Sequence, residues 1–190
     1  MFYRITLYLI AICALSGCVA NKVSQKGIDA VQRGEKALVI IPCDSPVSGL
    51  FNHMHNVSCA TNWQRGETEE YLNQERHNSI YVVNPGSYHL RSVQIITSVD
   101  QYGNTSEYSA GNIHNIAQFV VSGGDVVYLG NIDLDLAKSK VVSEMVSIND
   151  QYDNARTMMA KENPMLLNKL EKRLITLSSK NLSNRVKFSR

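Results

Sequence analysis

A strand–turn–strand pattern in the middle of the chain constrains the fold most strongly. Residues 79–84 and 87–97 are rich in β-branched and aromatic side chains, and Pro85-Gly86 separates the two runs. Proline presets the first central angle of a tight turn, and glycine accepts a positive φ at the next position. The segment therefore predicts a β-hairpin, with a β-bulge where the alternation of the second run slips. The residues expected to face inward are Tyr88, Leu90, Val93 and Ile95.

Further short strands are predicted at regular spacing. Glycine- and asparagine-rich turns separate apolar runs at 36–42, 116–121, 126–129, 132–136 and 141–148. The two runs that flank the turn at 122–125 predict a second hairpin. The polar residues 61–78 are expected to form mostly loop. Many short strands with such turns predict an antiparallel β-sandwich over residues 36–149.

The pattern becomes helical after residue 149. Asp150 and Asp153 form a capping-box-like start, and the apolar stripe of this first helix is Tyr152, Ala155 and Met159. Asn163-Pro164 predicts the start of a second helix. Its expected apolar face is Leu167, Leu170, Leu174 and Leu177. The predicted fold class is mainly β, an antiparallel β-sandwich followed by a C-terminal helical segment, 150–178, that packs on the sandwich or on a partner.

The N-terminus has the pattern of an exported chain. Arg4 precedes an apolar run at 5–15, which is too short to span a bilayer as a helix. The letters LSGC, which end at Cys18, resemble the lipobox of bacterial lipoproteins: an aliphatic residue, two small residues and the cysteine that is acylated. The resemblance implies that residues 1–17 are a removable signal peptide and that Cys18 is the lipidation site. Val19 follows, where the family's inner-membrane retention signal is Asp.

An acylated Cys18 would attach the protein to a membrane. Buried acyl chains contribute about 0.8 kcal/mol per methylene group, so several chains hold a protein on the membrane essentially permanently. The resemblance implies an outer-membrane lipid anchor, with the body on the periplasmic side. Residues 18–35 are polar and contain Gly27 and Gly34, so they are expected to be a tether with at most a short helical turn.

The charge balance argues against nucleic acid as a partner. Removing residues 1–17 removes one of the 19 basic residues and leaves 18 against 17 acidic ones, whereas nucleic-acid binding needs clustered positive charge. The last segment, 179–190, contains Lys and Arg but no acid. It is either a solvated end or an electrostatic contact for anionic lipid, a cell-wall polymer or an acidic partner. Its basic residues are Lys180, Arg185, Lys187 and Arg190.

Two cysteines, Cys43 and Cys59, enclose a stretch that contains His53 and His55. In an oxidising periplasm an isolated pair of thiols forms a disulfide, and this is the pairing that we predict. A metal site built from the same four residues is the alternative, because residues i and i+2 of a strand face the same side. Their spacing fits no common zinc motif. A Cys–His nucleophile is a further alternative, which an oxidising compartment disfavours.

Other candidate site residues have structural interpretations beside functional ones. Asp133 and Asp135 share a strand face and are either its solvated side or calcium ligands. Trp63 is either a cap on the core or an exposed recognition residue. The strand tyrosines are expected in the core rather than on a ligand platform, and these are Tyr81, Tyr88 and Tyr128.

The body of the chain also resembles a family. VNPGSYHL at 83–90 and FVVSGGDVVYLGN at 119–131 look like a diffuse class of small Gram-negative lipoproteins whose body is similar to the transthyretin or carboxypeptidase-regulatory sandwich. YDNAR at 152–156, with the later Asn163-Pro164, looks like the helical tail of some members. The resemblance spans residues 36–175. It implies a fold and carries over no catalytic residue.

These observations predict a non-enzymatic accessory or interaction module of the cell envelope. One form of such a module is a component of a secretion or envelope-assembly apparatus. Its expected partners are the membrane, through Cys18, and another envelope protein. No hydrolase, metalloprotease, phosphate-binding or dinucleotide motif is present, so no catalytic residue, metal or cofactor is predicted. The alternative is a periplasmic metal-binding or hydrolytic enzyme that uses His53 and His55.

Overall fold

The computed structural model describes residues 23–44, 58–68, 70–73, 79–96, 107–110, 116–134 and 146–177. They form a mainly β protein with a C-terminal helix, as predicted. In chain order the elements are α1 (Gln25–Gln32), β1 (Ala37–Ile40), β2 (Cys43–Asp44), β3 (Ser58–Arg65), β4 (Tyr71–Asn73), β5 (Ile80–Val83), β6 (Gly86–Ile96), β7 (Glu107–Ala110), β8 (Ala117–Val121), β9 (Val126–Tyr128), β10 (Asn131–Leu134), β11 (Val146–Asn149), α2 (Tyr152–Glu162), a 3₁₀ helix (Pro164–Lys169), β12 (Leu170–Lys172) and β13 (Thr176–Leu177).

The strands form three sheets. Sheet 1 has the order β12-β9-β1-β5, and sheet 2 has the order β13-β8-β6-β3-β4, with β7 paired to β6. A smaller sheet 3 has the order β11-β10-β2. The expectation of wholly antiparallel sheets is wrong, because the pairs β1/β9, β9/β12 and β2/β10 are parallel. Sheets 1 and 3 are therefore mixed.

Strand β1 is buried on both faces, as its uninterrupted apolar run predicts. Ala37 and Val39 belong to a core shared with sheet 2. Leu38 and Ile40 point the other way and belong to a second core beneath the helices. The residues that the helices and the C-terminal segment bring to this second core are Ile28, Val31, Ala155, Met159, Leu166 and Leu170.

Both predicted hairpins are wrong, because each turn connects strands of different sheets. After Pro85-Gly86 the chain leaves β5, which pairs with β1 in sheet 1, and enters β6, which pairs with β3 and β8 in sheet 2. The turn at 122–125 likewise joins β8 of sheet 2 to β9 of sheet 1. Each turn contains a glycine with a positive φ, which is +150° at Gly86 and +87° at Gly124. Turn residues specify a reversal of the chain and not the partner of each strand.

The predicted β-bulge is present in β6. Asn62 pairs with Ser92 and Trp63 pairs with Leu90, which leaves Arg91 as the extra residue. One extra residue changes the parity of the strand. Tyr88 and Leu90 before the bulge and Val93 after it are consequently all buried.

Residues 61–78 were expected to be mostly loop, and this is wrong for much of the segment. The structure places strand β3 over Ser58–Arg65 and β4 over Tyr71–Asn73, and the two strands pair. The segment is polar because its alternate residues face outward from sheet 2. Trp63 and Leu72, which face inward, are buried.

The prediction of a tether over residues 18–35 is wrong from residue 25 onward. Helix α1 occupies Gln25–Gln32, and the Ser24 hydroxyl caps it by accepting a hydrogen bond from the Gly27 N–H at 3.2 Å. Ile28 and Val31 of this helix are buried against sheet 1. The two apolar residues lie three positions apart, and this spacing predicted no more than a single helical turn.

The first C-terminal helix is confirmed, and the second is wrong. Helix α2 buries Ala155 and Met159 as predicted. The segment that begins at Asn163-Pro164 forms only a short 3₁₀ helix before it becomes extended as β12 and β13. The expected leucine face is therefore not a helix face: Leu170 is buried beside Val126, whereas Leu174 and Leu177 are 42% and 39% exposed. Backbone hydrogen bonding to the edge strand β9 replaces the helical pattern here.

Substitution of Met159 tests the core beneath the helices. Met159 is fully buried, so Met159→Ala leaves a cavity and should lower the free energy of unfolding by about 2–5 kcal/mol. Met165→Ala is the matched control, because Met165 is 65% exposed and should change stability by less than about 0.5 kcal/mol. Urea denaturation measures both. Equal stability of the two variants would contradict the packing of α2 on sheet 1.

Candidate functional site

The two cysteines that the sequence pairs lie at disulfide distance. Cys43 begins β2 and Cys59 lies in β3, and their Cα atoms are 5.6 Å apart, which is within the range of disulfides. Cys59 is buried in the core between the sheets, and the half-buried Cys43 packs against that core. The pair links sheet 3 to sheet 2 across the segment that contains His53 and His55.

Several predicted site residues lie outside the described residues. These are Cys18, His53, His55, Asp135 and the basic segment 179–190. The lipid anchor, the metal alternative at the two histidines and the electrostatic tail therefore stay predictions. Within the described residues no group of three or more His, Cys, Asp or Glu side chains is placed to hold a metal ion.

Trp63 and the strand tyrosines belong to the core. The Trp63 ring contacts Phe119 edge-on at 5.1 Å between centroids, and Phe119 stacks on Tyr88 at 5.0 Å. The Trp63 indole N–H donates to the Thr61 hydroxyl at 2.8 Å, which satisfies its polar atom inside the protein. Tyr81 and Tyr128 are buried as well. The interpretation of Trp63 as an exposed recognition residue is therefore wrong.

Asp133 is a hydrogen-bonding residue of sheet 3. It lies in β10 opposite β11, and its carboxylate accepts a hydrogen bond from the Asn149 side-chain amide. Nearby, the Tyr128 hydroxyl donates to the Asn131 side chain at 2.8 Å and accepts from the Gln151 N–H at 2.8 Å. These polar groups connect β9, β10 and the start of α2.

A half-buried polar cluster that no sequence pattern predicted lies beside the Pro85-Gly86 turn. Arg65 and Glu70 form an ion pair with 2.6 Å between the guanidinium and the carboxylate. The other Glu70 oxygen accepts from the Asn84 amide, and the Asn84 side-chain oxygen accepts from Lys36. Three separate segments are thus held together at one end of the two sheets. We call these four residues the turn cluster.

Tyr88 connects the turn cluster to the core. Its hydroxyl donates to the Asn84 carbonyl at 2.8 Å. Burial, with a smaller contribution from the nearby Glu70 carboxylate, raises the pKa of Tyr88 to about 12. No sequence signal marks this cluster, because Arg65 and Glu70 lie in a polar stretch and meet Asn84 only when the two sheets face each other.

Comparison of the chain with family models, with curated proteins and with solved structures finds no match. In the part of the chain that the structure describes, no helix is long and apolar enough to cross a membrane.

The cysteine pair predicts a measurable loss of stability on removal. For a loop of about 15 residues the chain-entropy model gives a disulfide contribution of about 3 kcal/mol. The double variant Cys43→Ala/Cys59→Ala should unfold at lower urea concentration by a corresponding amount. Mass spectrometry of the unreduced native protein after alkylation supplies the direct check. Two alkylated thiols in protein taken from the envelope would end this interpretation.

The raised pKa of Tyr88 predicts a stability change at alkaline pH. A phenol whose pKa is higher in the folded state than its ordinary value of 10.0 stabilises the fold fully below pH 10. This contribution is lost as the pH rises from 10 toward 12. The free energy of unfolding should therefore fall more steeply over this interval in the unmodified protein than in Tyr88→Phe. Parallel slopes for the two proteins would contradict the assignment.

Proposed function

We propose that the protein is an outer-membrane-anchored lipoprotein that acts as a non-enzymatic interaction module of the cell envelope. The single observation that carries the proposal is the Cys43–Cys59 pair at disulfide distance, in a chain whose N-terminus resembles a lipobox. Structural disulfides persist in oxidising compartments such as the periplasm. The lipobox-like N-terminus and the cysteine pair therefore support the same location.

The position of α1 supports a domain held close to the membrane. Seven residue steps separate Cys18 from Gln25, where α1 begins. A fully extended chain reaches at most about 3.6 Å per residue, so this segment spans about 25 Å or less. A domain on so short a connection meets partners at the membrane surface and not deep in the periplasm.

The architecture also supports an interaction module. Sheets 1 and 2 contribute to one core, which agrees with the β-sandwich that the resemblance to small Gram-negative lipoproteins implies. We propose the sandwich as the finer description of the fold. The turn cluster is held together by its own ion pair and by hydrogen bonds of the Asn84 side-chain amide. The strand tyrosines and Trp63 pack in the core. We propose an outer face of the described sheets as the surface that meets a partner.

Substitution of Cys18 tests the anchor. Cys18→Ser removes the thiol that would carry the diacylglyceryl group, so labelling with radioactive palmitate should be lost and the protein should leave the membrane fraction. Cys13→Ser is the matched control, because Cys13 lies in the segment that would be removed, and this variant should label and fractionate normally. Labelling of Cys18→Ser at the normal level would refute the lipoprotein assignment.

A further inference from the structure

The two residues of the cysteine pair differ in how deeply they lie in the protein. Cys59 is 3% exposed and belongs to the core between the sheets. The residues that follow it in β3, Ala60 and Thr61, are buried as well. Cys43 is half-buried and packs against that core. An external molecule therefore reaches Cys43 more easily than it reaches Cys59.

The strands that carry the two cysteines also differ in how firmly they are held. All eight residues of β3 pair with β6, and Cys59 lies opposite Ile95. Strand β2 has two residues, lies at one end of sheet 3 and pairs with Ile132 and Asp133 of β10. A short terminal strand opens locally at a lower cost in free energy than a long paired one. Local opening therefore exposes Cys43 further and leaves Cys59 in place.

Thiol–disulfide exchange depends on which sulfur an external reagent can reach. Exchange proceeds when a thiolate attacks one sulfur of a disulfide, and it passes through a mixed disulfide between the reagent and one protein cysteine. Access is one of the factors that select the sulfur that forms this intermediate. The difference in burial between Cys43 and Cys59 therefore selects the cysteine that carries the mixed disulfide.

We propose that Cys43 is the residue through which the pair exchanges with external disulfides and thiols. In the reduced protein the Cys43 thiolate attacks a disulfide, R–S–S–R, so that a bond to Cys43 forms and one RS⁻ leaves. The Cys59 thiolate then attacks the Cys43 sulfur, and the second RS⁻ leaves as the bond between the cysteines forms. Two electrons pass from the cysteines to R–S–S–R, and the two RS⁻ groups take up the protons that the cysteines give up.

The geometry of the pair permits the second step without rearrangement, because the two Cα atoms are already 5.6 Å apart. Reduction by an external thiol follows the same path in reverse: the thiolate attacks Cys43, and Cys59 leaves. The inference goes beyond the proposed function, since the order of these steps does not depend on a lipid at Cys18.

Single-cysteine variants of the full-length protein, reduced and held in detergent, test the proposal. Cys59→Ala retains Cys43, Cys43→Ala retains Cys59, and glutathione disulfide is the probe for both. Trypsin releases residues 37–65 as one peptide, so a glutathione adduct on this peptide marks the one cysteine that each variant retains in it. The adduct should form at least about tenfold faster in Cys59→Ala, because Cys59 reacts only after local opening of β3.

Unfolding in urea supplies the matched control, because both cysteines are accessible in the unfolded chain and the two variants should then react at similar rates. Fluorescence of the single tryptophan, the buried Trp63, shows that each variant is folded before the probe is added. Equal rates in the two folded variants, or a faster reaction of Cys59, would overturn the proposal.

A measurement on the unsubstituted protein does not depend on the stability of either variant. The oxidised protein is incubated with a large excess of reduced glutathione, acid stops the exchange, and N-ethylmaleimide blocks the free thiols after denaturation. Chymotryptic cleavage after Phe51 separates the two cysteines. We expect glutathione on Cys43 and the maleimide on Cys59. Glutathione on Cys59 in equal or greater amount, or on neither cysteine, would overturn the proposal.

Discussion

The burial of β1 from both sides is the interaction on which the rest of the structure depends. One face of its four residues meets sheet 2, and the other face meets α1, α2 and the 3₁₀ helix. At about 25 cal/mol per Å² of apolar surface, burial of both faces of a strand contributes far more than burial of one. The helices are therefore part of the fold and not additions to a finished set of sheets. A polar residue at Val39 would disturb the core shared with sheet 2, and one at Leu38 would disturb the core beneath the helices.

The C-terminal segment stabilises the open side of this arrangement. Strand β12 extends sheet 1 through β9, and three residues later β13 extends sheet 2 through β8. Between them Ile175 is buried, and its N–H donates to the Leu129 carbonyl at 2.8 Å. One short stretch of chain thus covers an edge of both sheets. Covered edges are protected from pairing with other chains, which is the usual hazard of an edge strand.

Sequence patterns predicted the residues that pack but not the strands that pair. The inward positions of β6, the bulge near Arg91 and the stripe of α2 followed from periodicity, since burial imposes that pattern directly. Pairing across the Pro85-Gly86 turn did not follow, because turn chemistry is common to hairpins and to connections between sheets. The leucines after Pro164 have helical spacing, yet Leu170 is held extended by pairing with β9, and Leu177 by pairing with β8.

Some of the site residues could likewise be predicted from the sequence, and others could not. Cys43 and Cys59 were identifiable because an isolated pair of thiols has few other uses in a chain that is predicted to be exported. The turn cluster was not identifiable, because it unites residues from distant parts of the chain that only the fold brings together.

The order of sheet 1 has a consequence for how the chain acquires its structure. Its neighbouring strands come from residues 37–40, 126–128 and 170–172, so the sheet pairs segments from the beginning, the middle and the end of the described chain. Such distant pairings make folding slow, because the entropy of closing long loops is lost before the contacts form. The ribosome must also have completed residue 172 before the last strand is available. Sheet 1 can therefore be completed only after nearly all of the described chain has been synthesised.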